Sequence, residues 1–102
     1  MEQIRTIFEK KAKEAFRKAK EDDFEGMIIL CEPIDPDQIK DPEQFHLFYV
    51  KSVPQGILLD RWRPICTYNV DWKKYIKFTS EEEMVGFLAP ALEGYYRMVN
   101  RC

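Results

Sequence analysis

Apolar positions along this 102-residue chain follow a helical period at both ends and a strand period between them. Within residues 2–21, Ile4, Ile7, Phe8, Ala12, Ala15, Phe16 and Ala19 recur three or four positions apart, with Lys, Arg and Glu filling most of the gaps. That spacing gathers the apolar side chains on one face of a docked helix. Glu9 to Lys13 and Glu14 to Lys18 stand four apart in the favourable order, each pair adding about 0.2–0.5 kcal/mol if formed. In Phe24–Glu32 the run Met27-Ile28-Ile29-Leu30-Cys31 is apolar at consecutive positions, hence on both faces of a strand, and predicts a central strand. Phe45–Val53 alternates, with Phe45, Leu47 and Tyr49 opposed to His46, Phe48 and Val50. Val53-Pro54-Gln55-Gly56 then reads as a turn with proline second, and Ile57–Arg61 as the return strand of a hairpin. Arg63-Pro64 interrupts the run. From Ile65 to Trp72 alternation resumes, with Cys66, Tyr68, Val70 and Trp72 on one face and Ile65, Thr67 and Asn69 on the other, and Tyr75–Phe78 is a last short strand.

The strand period stops at Thr79-Ser80-Glu81-Glu82-Glu83, where Thr79 with Glu82 and Ser80 with Glu83 both have capping-box spacing and three acids sit at the positive end of a helix dipole. Met84, Phe87, Leu88, Ala91, Leu92, Tyr95 and Val99 predict the inward stripe of a closing helix. Pro90 interrupts it and predicts a kink near residues 86–89, since its ring removes the bond to the Gly86 carbonyl. The expected architecture is one α+β domain over residues 1–102, in the order α-β-β-β-β(-β)-α. Its antiparallel sheet has four to five strands, with the terminal helices packed mainly on one face. The corner Tyr75-Ile76-Lys77-Phe78-Thr79-Ser80-Glu81-Glu82-Glu83-Met84, preceded by Phe48-Tyr49-Val50, resembles the N-terminal domain of the SseB family, some members of which are linked to protein secretion. That resemblance implies a non-enzymatic domain acting through protein contacts. It carries over no functional residue, and neither the proline-rich loop nor Pro90 maps onto it.

Sixteen bases against 18 acids give a net charge of −2, so the chain as a whole has no pull toward nucleic acid or anionic membrane. No apolar run approaches the ~20 residues of a membrane span, and Met1-Glu2-Gln3-Ile4-Arg5 lacks an apolar signal core, so a cytoplasmic protein is expected. Charge is nevertheless segregated. Glu32–Glu43 holds Glu32, Asp35, Asp37, Asp41 and Glu43 against Lys40, whereas Arg61–Lys77 holds Arg61, Arg63, Lys73, Lys74 and Lys77 against Asp71. The acidic stretch also contains Pro33, Pro36 and Pro42, and its Asp35-Pro36 and Asp41-Pro42 steps suit short capped turns. Its length and rigidity make it a contact loop as readily as a connector.

Catalytic chemistry is sparsely supplied. Cys31, Cys66 and Cys102 form no Cys-x-x-Cys pair and His46 is the sole histidine, too few ligands for a usual zinc site. With four glycines and no phosphate-cradling loop, no cofactor is expected. A small enzyme would have to join His46 to Cys31, Cys66 or a carboxylate through the fold. Asp35, Asp37 and Asp41 are accounted for by capping in a solvated loop. Arg61-Trp62-Arg63 and Trp72-Lys73-Lys74-Tyr75 interleave bases with aromatic rings, a pattern that could stack single-stranded nucleic acid. It equally suits Trp packing at sheet edges beneath Arg and Lys stems, and best suits the Trp, Tyr and Arg anchors of protein interfaces. The expected function is therefore stoichiometric binding of another protein, as an adaptor, chaperone-like or inhibitory module. Arg61, Trp62, Arg63, Tyr68, Trp72 and Lys74 would form its surface, with Asp35 and Asp37 from the acidic loop. A small enzyme built on His46 stands second and a single-stranded nucleic-acid binder third, and a homodimer is also open to such a surface.

Overall fold

A computed structural model of the chain describes residues 4–21, 26–50, 55–70 and 80–101, of which 26 and 68–70 are described by backbone only. The amphipathic N-terminal segment is helix α1, Ile4–Glu21, and its buried residues Ile7, Phe8, Ala12, Ala15, Phe16 and Ala19 are those of the expected stripe. The charges of α1 pair between elements, Arg5 with Glu93, Lys11 with Glu43 and Arg17 with Glu81. Among the described residues neither Glu9 with Lys13 nor Glu14 with Lys18 forms an ion pair. Strand β1, Gly26–Pro33, lies in the middle of the sheet, as its two-sided apolar run requires.

The sheet has three strands among the described residues, in the order β2-β1-β3, with β2 at His46–Tyr49 and β3 at Trp62–Val70, both antiparallel to β1. This is fewer than the four to five expected. Ile57–Arg61 is not a hairpin return but part of helix α2, Gln55–Arg61. Ile57, Leu58 and Leu59 are three apolar residues in a row, and only Leu58 is buried, which is the economy of a one-sided helical turn rather than a strand. Since β1 separates β2 from β3, those two strands run parallel, and a parallel pair needs a crossover, which α2 helps to supply. Tyr75–Phe78, the other expected strand, lies outside the described residues.

A second departure sets the orientation of β3. Leu30 pairs with Cys66 but Cys31 pairs with Pro64, so Ile65 is the extra residue of a bulge. Pro64 therefore does not break the strand; among the described residues β3 is an edge, where a missing N–H is tolerated. The bulge turns both Ile65 and Cys66 toward the core, where they pack against Phe8, Leu30, Phe45, Ala89 and Leu92. It also reverses the faces of the residues before it. Strict alternation from Cys66 would place Trp62 on the core face, whereas the observed register brings it opposite Pro33 on the outer face.

The inner face of the sheet is covered by α1 and by helix α3, Glu81–Val99, which pack on each other and on Ile28, Leu30, Leu47 and Tyr49. Phe8, Phe45, Tyr95 and Tyr96 meet edge to face in this core, with ring centroids 5.6 to 6.5 Å apart. α3 runs through Pro90 without a break. Its buried stripe is Met84, Leu88, Ala89 and Leu92, with Val85, Tyr96 and Val99 beside it. Phe87, expected inside, is 54% exposed. The Ser80 hydroxyl accepts the Glu83 N–H at 3.1 Å, as the capping box requires, while Thr79 lies outside the described residues. Ser80→Ala is expected to lower stability by about 1 kcal/mol, read as a reduced urea midpoint at unchanged slope.

Candidate functional site

The acidic loop folds onto the start of β3. Residues Gln38–Lys40 and Pro42–Gln44 form two short 3₁₀ turns. Asp41 caps the second by accepting the Glu43 N–H at 3.0 Å, with Pro42 at the first position, where a missing N–H costs nothing. Donors from three other elements hold the loop's carbonyls. Tyr96 Oη donates to Lys40 O at 2.6 Å, Asn100 Nδ2 to Ile39 O at 2.9 Å, Lys11 Nζ to Glu43 O at 2.8 Å and Trp62 Nε1 to Gln44 O at 3.2 Å. The Ile34 N–H donates to Arg61 O at 3.0 Å, tying the end of β1 to the end of α2. A loop held this way is a fixed wall.

Between that wall and the α2–β3 junction lies a cleft of about 420 Å³ lined by Ile34, Asp35, Gln38, Gln44, Asp60, Arg61 and Trp62. The fold thus joins the two segments of opposite charge. Of the five acids in Glu32–Glu43, three serve the fold itself: Glu32 pairs with Arg63, Glu43 with Lys11, and Asp41 caps. Asp35 accepts the Asp37 N–H at 2.9 Å in its own turn. No described cation pairs with Asp35, Asp37 or Asp60, and no described carboxylate pairs with Arg61. Trp62 is half-buried, its ring lying across the outer face of β1 against His46, 4.7 Å between centroids, and Phe48, 5.1 Å.

Of the residues singled out from the sequence, Asp35, Arg61 and Trp62 line this cleft and Asp37 stands beside Asp35. Arg63 is engaged elsewhere: its guanidinium, 68% exposed, donates to the fully buried Glu32. Tyr68 is placed in β3 opposite Ile28, and Trp72 and Lys74 lie outside the described residues. Ile34, Gln38, Gln44 and Asp60 were not singled out, because none belongs to a local pattern; only their meeting across the Ile34–Arg61 bond makes them a site.

His46 sits directly opposite Cys31 in the sheet register, the arrangement an enzyme reading would need. The chemistry runs the other way. Burial pushes the Cys31 thiol up to about 11, and burial, then the nearby Lys11 charge, lowers His46 from its ordinary 6.5 against the opposing pull of Glu43. Both are neutral at pH 7, whereas a cysteine nucleophile works as the thiolate. His46 also borders a separate cavity of about 290 Å³ with Lys11, Glu14 and Lys18, but hydrogen-bonds to no described side chain. A histidine whose folded value is depressed binds its proton more readily when unfolded, so its contribution to stability is full above 6.5 and falls as pH drops through 6.5. His46→Gln is expected to flatten the stability profile in that window, measured by urea titrations across it.

Among the described residues no group of three or more His, Cys, Asp or Glu side chains could hold a metal ion, and no described helix is long and apolar enough to cross a membrane. No family model, curated protein or solved structure matches the chain.

Proposed function

We propose that this domain is a stoichiometric protein-binding module, an adaptor or inhibitory protein, whose contact surface is the cleft between residues 34–44 and 60–62. The observation that carries this reading is the half-buried Trp62 at a cleft whose walls also bear the exposed side chain of Ile34 and charges that form no ion pair among the described residues. Ile34 is 50% exposed. An aromatic side chain held in place by its own indole N–H bond is an anchor that loses little freedom on binding. The carboxylates of Asp35 and Asp60 disfavour phosphate. Of the five bases that suggested nucleic acid, Arg63 is bound to Glu32 and Lys73, Lys74 and Lys77 lie outside the described residues, leaving Arg61.

The test begins with affinity capture of a partner, followed by calorimetric titration of the purified pair. One-to-one saturation is expected, and Ile34→Arg should weaken binding roughly ten-fold by filling the cleft, with an unchanged melting curve because the side chain is half-exposed. An affinity unmoved by Ile34→Arg places the contact elsewhere.

A further inference from the structure

We infer that the cleft accepts an arginine side chain from an exposed segment of the partner, a reading that rests on the binding role proposed above. Three features of the cleft converge on that chemistry. Its described lining carries Asp35 and Asp60 against the single base Arg61, so the charge of that lining is negative. Its aromatic wall is Trp62, fixed from one side by the bond to Gln44 O and from another by His46 and Phe48. A planar guanidinium stacks on such a ring while its N–H groups reach carboxylates, which a lysine ammonium does less well. The apolar surface of Ile34 suits the aliphatic stem of such a side chain.

Among the described residues no base forms an ion pair with these carboxylates. Glu32, Asp41 and Glu43 are each occupied within the chain, and the bases of α1 that form ion pairs are spent on Glu43, Glu81 and Glu93. Asp35 and Asp60 line the same cleft from different segments because β1 ends where α2 does, at the Ile34–Arg61 bond. The volume of about 420 Å³ is ample for one side chain and its flanking backbone.

The experiment titrates the isotopically labelled protein with four capped octapeptides identical except at one position, which is arginine, lysine, citrulline or glutamate. Citrulline keeps the shape of arginine and removes its charge. The arginine peptide is expected to shift the Trp62 indole N–H and the amides of Asp35 and Asp60 saturably, with citrulline and glutamate at least roughly ten-fold weaker and lysine between. Asp35→Asn, which keeps the oxygen that accepts the Asp37 N–H, combined with Asp60→Asn, should abolish the preference for arginine over citrulline. Equal binding of arginine and citrulline, or no shift at about 5 mM peptide, overturns the inference. The same double variant measured against the captured partner separates the two readings. Binding that depends on Trp62 but not on the two carboxylates keeps the cleft as the contact site and discards arginine as its occupant. Binding that depends on neither discards both.

Discussion

Arg63→Met is expected to destabilise the domain by ~3 kcal/mol, far more than a surface arginine ordinarily costs. The reason lies across the sheet. Glu32 is fully buried, one of its oxygens is held by Arg63, and Oε2 has no hydrogen-bond partner among the described residues. An ion pair between two exposed side chains is worth about 0–1 kcal/mol. Here only the arginine is exposed, and deleting it leaves a buried carboxylate with no compensating charge, the circumstance in which breaking a pair costs about 3–5 kcal/mol. Solvent around the 68%-exposed guanidinium places the expected value at the low end of that range. Replacing both residues, Glu32→Leu with Arg63→Met, should be milder than Arg63→Met alone, because it removes the charge that is expensive to strand. Urea midpoints of the two singles and the double give the coupling directly. An Arg63→Met midpoint no lower than that of Arg97→Met, whose arginine pairs with Glu93 on the surface of α3, would contradict this account of the β1–β3 end.

The second large effect concerns recognition. Trp62→Ala is expected to weaken binding of the partner by ~2 kcal/mol or more, roughly 30-fold. Part of any effect is structural, since the ring also packs on His46 and Phe48 and its N–H holds Gln44 O. Melting curves of the variant set the temperature at which it is fully folded, and binding is compared there. Trp62→Phe keeps an aromatic wall but loses the N–H bond, and should retain most of the affinity if stacking is the main contribution. An affinity for Trp62→Ala within two-fold of the parent, in protein shown to be folded, would remove Trp62 as anchor.

Local patterns on the chain were legible where one element met one face of the core. The α1 stripe is buried from Ile7 to Ala19 with Ile4 partly buried, the two-sided run Met27–Cys31 is the central strand, and Asp41-Pro42 and Ser80 cap as their spacing implies. What escaped was non-local. The bulge at Ile65 exists because β3 must satisfy two registers along β1, and no feature of Arg63-Pro64-Ile65 announces that the faces exchange there. Trp62 was visible as a binding-type residue, but its face was not. The crossover through α2 hid behind Pro54-Gln55-Gly56, whose turn chemistry suits a hairpin as well as a helix start. Phe87 shows that helical phase alone does not decide burial: rotating the stripe toward Val85, Ala89 and Tyr96 meets α1 and the 3₁₀ turns better. The candidate site was half visible for the same reason. Asp35, Arg61 and Trp62 stand out by type, whereas Ile34, Gln38, Gln44 and Asp60 acquire meaning only through the contact of two segments distant in sequence.

The central claim, that the cleft between residues 34–44 and 60–62 is the partner surface, is tested most directly by amide hydrogen exchange of the free and partner-bound protein. The account predicts slowed exchange on binding in 34–44 and 60–62, with the α1 residues Lys11–Lys18 unchanged. Slowing confined to His46–Tyr49 and α1, with the cleft segments exchanging as in the free protein, would contradict it.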